Sequence, residues 1–399
     1  MVAPSGFSTS TTGFTSTVRT AIAKKVIDTL RAGLIALPRG AVVPANVLAK
    51  VGDNWTLRAT AYPDLADAAA TDPLTEGVPP ASIELGIDTQ DFTVAQAGAW
   101  TAVLDVAEYQ SPHDLAKVAA EKIARLAAQV IDNKAMTALR AHAVDIDFGT
   151  KLTTDALLWS KSELAERSIM PVPGVGYYAL CSPEALLGLE TEASLNGYVD
   201  VTAQAKAGDL TKGAVSQYRG ITFLTSPRVA PVAGANVTLA NPSAAADDII
   251  DTSAAHGFVA GDRVRFSALT GGTGLAIDTD YYVIAANLAA TTFQVSDVAN
   301  SQVAVNFTTD ITAGTVASYN EPVIFLGAGS VAFGDVGTME YFHTAGPDSA
   351  NPLAQFQTFG FKGILGGAVM NLSEETDGAG ANGATVPRIW TISVQSGKV

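Results

Sequence analysis

The chain has 399 residues, 48% of them apolar and 16% charged, with a net charge of −15 at pH 7 and one cysteine. Such a length buries two or three compact cores, and the apolar share excludes a wholly disordered chain. The acidic balance argues against a nucleic-acid binder, because phosphate affinity comes from Lys and Arg. The lone Cys181 excludes an internal disulfide framework and suits a reducing compartment, and no run of about 20 apolar residues is present to span a bilayer. The Ser/Thr/Gly-rich start has neither the basic stub nor the apolar core of a secretory signal.

Charge is unevenly distributed. Residues 1–50 carry six basic side chains (Arg19, Lys24, Lys25, Arg31, Arg39 and Lys50) against Asp28, a net +5. Residues 51–110 carry ten acids, among them Asp72, Glu76, Glu84, Asp88 and Asp91, against Arg58 alone, a net −9. Opposed blocks of this kind can pair within one subunit or between neighbours. The competing reading is a solvated acidic face that keeps the protein soluble.

In chain order, residues 1–17 read as an extended arm, and Thr17 caps a helix striped by Val18, Ile22, Val26, Leu30 and Leu34. Residues 54–62 alternate as a strand, with Trp55, Leu57, Ala59 and Ala61 on one side. A turn-rich, proline-punctuated segment over 63–80 follows. Then Ile83, Leu85 and Ile87, Phe92 and Val94, and Trp100, Ala102 and Leu104 continue a β pattern. The result is a long two-stranded excursion, and an isolated ribbon is marginal in water. Ser111, Pro112 and Asp114 form an approximate capping box for a long helix to about His142. Its apolar stripes are Leu115, Ala119, Ile123, Leu126, Val130 and Ala127, Ile131, Ala135, Leu139, and its length is roughly 45 Å.

Residues 154–232 mix types. Thr154 caps a helix, the strand at 177–181 runs into a Ser182-Pro183 helix start, and a further strand covers 220–225. From 233 to 319 lysine disappears, and short strands recur at 263–266, 281–285, 292–295 and 303–307, the pattern of a small all-β module. The mixed pattern resumes at 322–326, so the module reads as an insertion, which surface loops tolerate well.

Nothing in the chain forms a strong chemical motif. Gly327-Ala328-Gly329 hints at a dinucleotide loop, but Gly334 falls two residues too late, so a plain strand-to-helix turn is the reading. Cys181 lies at a strand-to-helix junction with none of His113, His142, His256 or His343 close in sequence, which favours a buried thiol over a nucleophile. Asp247-Asp248 and Asp278/Asp280 lack the glycine and terminal glutamate of a calcium loop and read as turn acids. No catalytic residue, cofactor-binding residue or metal ligand is assigned, and the chain is not read as an enzyme.

The order of elements resembles a known family. A basic N-terminal helix, an acidic excursion through 73–80, a spine helix over 111–142, the strand–Ser-Pro–helix at 177–187, the strand at 220–225, and Asn351-Pro352-Leu353 followed by Gly360-Phe361-Lys362-Gly363 are similar to the major capsid protein of tailed bacteriophages. That family has the Hong Kong ninety-seven-type fold, and the branch resembled is typified by the coat protein of phage N-four. The resemblance covers most of 18–232 and 320–375. It implies an α+β fold: arm and basic helix (1–50), extended loop and peripheral strands (51–110), spine helix (111–150), axial domain (151–232 and 320–375), inserted β domain (233–319) and tail (376–399).

It also implies self-assembly into pentamers and hexamers of an icosahedral shell, a separate scaffolding protein and a portal, and packaged double-stranded DNA held without sequence-specific binding. The expected location is the virion capsid, assembled in the bacterial host cytoplasm, with no membrane contact. The residues expected at intersubunit contacts are Arg19, Lys24, Lys25, Arg31, Arg58, Asp72, Glu76, Glu84, Asp88 and Asp91. Some relatives crosslink through a lysine in the extended loop, and no lysine occurs between Lys50 and Lys117 here. Two other classes remain open: a tail-tube or adhesion protein of the virion, and a soluble α/β enzyme.

Overall fold

The computed structural model describes residues 37–38, 40–51, 54–61, 88–111, 115–167, 169–190, 217–240, 243–336, 340–344, 355–373 and 385–396. The chain opens with β1 (Val42–Pro44), β2 (Asn46–Val51), β3 (Asn54–Ala61) and β4 (Asp88–Leu104), then helices α1 (Asp105–Gln110) and α2 (Leu115–Arg140). Next come β5 (Ile146–Asp147), α3 (Thr154–Glu166), β6 (Tyr177–Cys181), α4 (Pro183–Glu190), β7 (Gln217–Tyr218) and β8 (Ile221–Thr225). Short strands β9 (Val232–Ala233), β10 (Val237–Thr238) and β11 (Ile250–Asp251) precede β12 (Arg263–Thr270), β13 (Tyr281–Ile284), β14 (Thr292–Ser296) and β15 (Ala313–Leu326). The remainder is β16 (Val331–Asp335), β17 (Glu340–Thr344), β18 (Phe356–Val369), β19 (Asn371–Ser373), β20 (Thr385–Pro387) and β21 (Ile389–Val394). The architecture is α+β.

The chain divides into two compact units. The first comprises Met1–Ala138, Val331–Met370 and Glu375–Gly380, and the second Leu139–Ser330, Asn371–Glu374 and Ala381–Val399.

The first unit is a seven-stranded sheet in the order β1-β16-β18-β4-β3-β2, with β17 on β18. Alternation dictates its inner face: Leu57 and Ala59 of β3 and Phe92 and Val94 of β4 are buried with Ala332 and Met370, while Thr60 and Asp91 face outward. Gly334 is what lets Leu57 approach, because a Cβ there would sit 2.5 Å from its Cδ2. The excursion, read as a ribbon marginal by itself, has a core at its root. The strand β4 runs directly into α1, a helix absent from the sequence expectation, and α2 begins at Leu115. The Pro112 and Asp114 parts of the expected capping box lie outside the described residues, as do the arm, the basic helix, the 63–80 segment, Asn351-Pro352-Leu353 and the tail to residue 384.

The second unit is built around β15. Its first half pairs with β12 on one side and with β10 and β9 on the other; its last four residues pair with β6 and β21. One strand therefore belongs to two cores. Val316 packs with Phe266, Phe293 and Phe307, whereas Val323 and Phe325 pack with Leu157, Leu180-adjacent Ala179 and Cys181, Phe223 and Trp390. The division expected at 319/320 falls inside this unbroken strand.

Local signals explain most of the rest. Thr153, one residue earlier than expected, caps α3 by accepting from the Ala156 amide at 3.3 Å. Ser182 accepts from Ala185 at 3.0 Å, with Pro183 in the first helical position of α4. Residues 303–307 are not a strand: the Val305 amide donates to Val295 and the Phe307 amide to an Asp248 carboxylate oxygen, which leaves no ladder. Gly327-Ala328-Gly329 is a turn leading into strand β16, not into a helix, with Gly329 at φ +66°.

Candidate functional site

The feature built for reach is β4. Its first seven residues pair with β3 and its last ten with β18, in continuous register from Asp88↔Ala61 to Leu104↔Phe356. At about 3.3 Å per residue, 17 residues span roughly 55 Å. Because Ala61 and Asp88 are direct partners, the 62–87 segment leaves and re-enters at one point, the open end of the β3–β4 hairpin.

The two halves of β4 serve different faces. Even positions Phe92 and Val94 point to the inner core, while odd positions Ala99 and Val103 join Phe359 and Phe361 of β18 under α2. α2 meets that face through Ala120, Ile123 and Ala127, with Leu115, Ala116, Ala119 and Val130 packed against the same cluster, and Leu126 is 38% exposed. Of the expected stripes, Leu115, Ala119, Ile123, Ala127 and Val130 lie on this face and Leu126 does not. The packed face is the alanine-rich one, because small residues let a helix approach the rings of Phe359 and Phe361 closely.

Continued alternation then leaves even positions of β4 without cover. Trp100 is 71% exposed, and Leu104 and Val106 are exposed beyond it. Trp100 stands directly across from Gly360 on β18, and Gly360 directly across from Phe342 on β17. The next row is Gly98, Lys362 and Glu340. Two aromatic rings thus flank glycines, forming a shallow cavity of about 350 Å³ between Trp100 and Phe342. The Lys362 ammonium lies 5.0 Å from the Phe342 ring centre and 3.1 Å from a Glu340 carboxylate oxygen.

Among the residues expected at intersubunit contacts, the structure brings one pair together within the chain. Arg58 and Asp91 are direct cross-strand partners in a bidentate ion pair, with Nε–Oδ1 and Nη2–Oδ2 both 2.6 Å. Hydrogen bonding to the Arg58 guanidinium holds the Asp91 carboxyl below its ordinary range despite the opposing effect of desolvation. Asp88 occupies the hairpin end, with only its backbone described. Arg19, Lys24, Lys25, Arg31, Asp72, Glu76 and Glu84 lie outside the described residues.

Side chains with possible chemistry are committed to structure. Cys181 is fully buried, and burial pushes its thiol up to about 12, which removes it as a nucleophile near neutral pH. Asp248 accepts from the Phe307 amide from a left-handed turn position, and Asp280 pairs with Arg265. Among the described residues no group of three or more His, Cys, Asp or Glu is placed to hold a metal ion.

Sequence reasoning missed the polar seam beside β15. Arg263 donates to the Tyr319 carbonyl at 2.9 Å, pairs with buried Glu321, and reaches Glu184 at 3.4 Å; Ser396 donates to the same Glu184 oxygen at 3.1 Å. Gln395 bridges the Ala260 carbonyl and Asp262 at 3.1 and 3.0 Å. Burial raises the Asp262 carboxyl above its ordinary value, with nearby Asp147 acting in the same direction against hydrogen bonds from Val259, Gln395 and Asn320. A charged Arg263-x-Arg265 at the start of a strand was the available signal.

No protein-family model matches the sequence, and no curated protein matches it. Solved structures do. A chain of the cyanophage Pam1 capsid asymmetric unit is 13% identical, with 87% of this chain and 86% of that one covered and a TM-score of 0.46. A chain of the Helicobacter pylori bacteriophage KHP40 head is 10% identical, covering 89% and 87%, with a TM-score of 0.49. A chain of the Ralstonia phage GP4 capsid is 11% identical, covering 89% and 87%, with a TM-score of 0.47. These three chains come from two phage capsids and a phage head.

Proposed function

We propose that this chain is the major capsid protein of a tailed, double-stranded DNA bacteriophage, with the Hong Kong ninety-seven-type fold, and that it assembles into pentamers and hexamers of an icosahedral shell. One observation carries the reading. The 17-residue β4 links a hairpin whose tip emits a 26-residue acidic segment to the 26-residue helix α2, in the order of excursion and spine that the sequence shares with that family. A segment emitted from a hairpin end, with five acids and no basic residue, has no obvious role in a self-contained globule, and has one in an assembly.

The mechanism is geometric. The basic arm (1–50) and the acidic loop reach neighbouring copies in head-to-tail contacts that close into rings. Exposed ion pairs contribute about 0.2–1 kcal/mol each and are screened by salt, so charge selects register. Shell cohesion comes from larger, partly apolar contacts, on the order of 2,000 Å² or more. In the proposed division of labour, 151–232 and 320–375 form the axial domain. The inserted β domain (233–319) stabilises capsomers or decorates the outer surface, and 376–399 is the tail. A separate scaffolding protein and a portal complete assembly in the host cytoplasm. The packaged DNA meets an acidic protein to which it does not adhere. The role is structural, with no catalysis assigned.

Negative-stain microscopy of the purified chain tests this. Closed shells or capsomer rings are expected. Long tubes indicate a tail protein, and small particles with turnover an enzyme; either overturns the reading. Reversing Glu76, Glu84 and Asp88 to Lys is expected to lower assembly yield and alter its salt dependence, and unchanged behaviour removes the charge-pairing component.

A further inference from the structure

We infer that the notch between Trp100 and Phe342 is a receptor for the Pro79-Pro80 segment of a second copy of the chain. The inference rests on the shell reading above and adds to it which surface receives the loop and what chemistry holds it. The notch is built by register: Trp100, Gly360 and Phe342 form one cross-strand row, so two rings stand on either side of a residue with no side chain. A Cβ at Gly360 would lie 3.0 Å from the Trp100 Cβ, and one at Gly98 would lie 2.6 Å from the Phe361 carbonyl oxygen, so both glycines keep the floor low. Aromatic walls over a flat floor suit proline, whose rigid extended backbone docks into ring-lined grooves at little entropic cost. The sequence contains a single Pro-Pro pair, Pro79-Pro80, and it lies in the 62–87 segment. That segment carries acids and no basic residue, and Lys362, paired with Glu340, lies at the rim.

Reach decides whose prolines these are. Pro80 precedes Asp88 by eight residues, which extend at most to about 29 Å. Trp100 lies twelve residues along β4 from the same Asp88, about 40 Å away. The prolines of one chain therefore fall short of its own notch by about 10 Å, and the occupant comes from another copy.

Two variants, each with one added cysteine, test the contact: Thr344→Cys, two residues from Phe342 on the same face of β17, and Val78→Cys, beside the prolines. Cys181 is buried and does not compete. Particles assembled from the mixture and oxidised are expected to yield a disulfide dimer containing one chain of each kind, in excess of either variant alone. Particles that form without that mixed dimer overturn the docking proposal and leave the shell reading standing. Failure of the unsubstituted chain to form particles overturns both. As a second readout, Trp100→Ala and Pro80→Ala are each expected to raise the threshold assembly concentration about tenfold, and the double variant no further. Fully additive losses contradict a shared contact.

Discussion

Two long strands of this protein solve opposite problems. The 14-residue β15 of the second unit threads two cores and is sealed by buried charge: Arg263 against Glu321 and Glu184, and Gln395 against Asp262. The 17-residue β4 of the first unit also serves two cores, one on each face, yet it leaves Leu104 exposed and Trp100 in solvent beside Gly360. The contact completed within the chain pairs its buried charges, Arg263 with Glu321 and Glu184. A contact reserved for another molecule leaves rings exposed and a floor cleared.

The sharpest way to break this contrast is at the seam. Arg263→Ala leaves Glu321 buried without its cation and is expected to destabilise the protein by about 3–5 kcal/mol in urea denaturation; a loss under 1 kcal/mol would show that the seam is not closed. Next, Gly98→Ala forces a Cβ against the Phe361 carbonyl and is expected to cost about 1–3 kcal/mol, which would show that the open face is built by close backbone approach.

The pH dependence sharpens the seam further. Asp262 is raised by burial, so between the ordinary carboxylate value of 3.8 and its folded value the native chain holds a proton that the unfolded chain lacks. Its contribution therefore falls as pH rises through that window, and Asp262→Asn is expected to flatten this slope. Asp145 behaves oppositely. Burial would raise it, but His142, the Thr391 amide and Arg167 together hold it below the usual range, so its contribution is lost as pH falls through the depressed value. Thermal melts of Asp262→Asn and Asp145→Asn across pH separate these signs.

Smaller effects are expected on the open face. Trp100→Ala should change protomer stability by no more than about 0.5 kcal/mol, because the ring is mostly in solvent. The smallest effect is at Arg58 and Asp91, an exposed cross-strand pair. Asp91→Asn should leave the unfolding midpoint unchanged, and any effect on assembly yield would assign the pair a role between copies.

Much of this was legible in the residues. Alternation located β3 and the inner face of β4, and the Ser182-Pro183 start of α4 follows from capping chemistry. The illegible part has two physical sources. Alternation does not say which face a neighbour covers, so Trp100 read as one more strand residue, although its parity places it opposite α2. Likewise, the stripes placed Ala119, Ile123, Ala127 and Val130 on the packed face of α2 but missed Ala120 and included Leu126, which is 38% exposed. Partners distant in sequence were invisible for the same reason: Arg263 meets Glu184 and Glu321, and Gln395 meets Asp262, only once β15 has joined its two cores. The residues at 303–307 alternate like a strand but hand their amides to Val295 and Asp248, a choice no local pattern records. At the candidate site, the glycines at 98 and 360 were the available clue, since they sit in strands where a side chain would ordinarily pack.

The proposed function requires that segments of this chain be completed by other copies of itself. Sedimentation of the purified, unsubstituted protein over a concentration series tests it most directly. The account predicts a threshold above which protomers convert cooperatively into large closed particles. A single monomeric species at every concentration would contradict it.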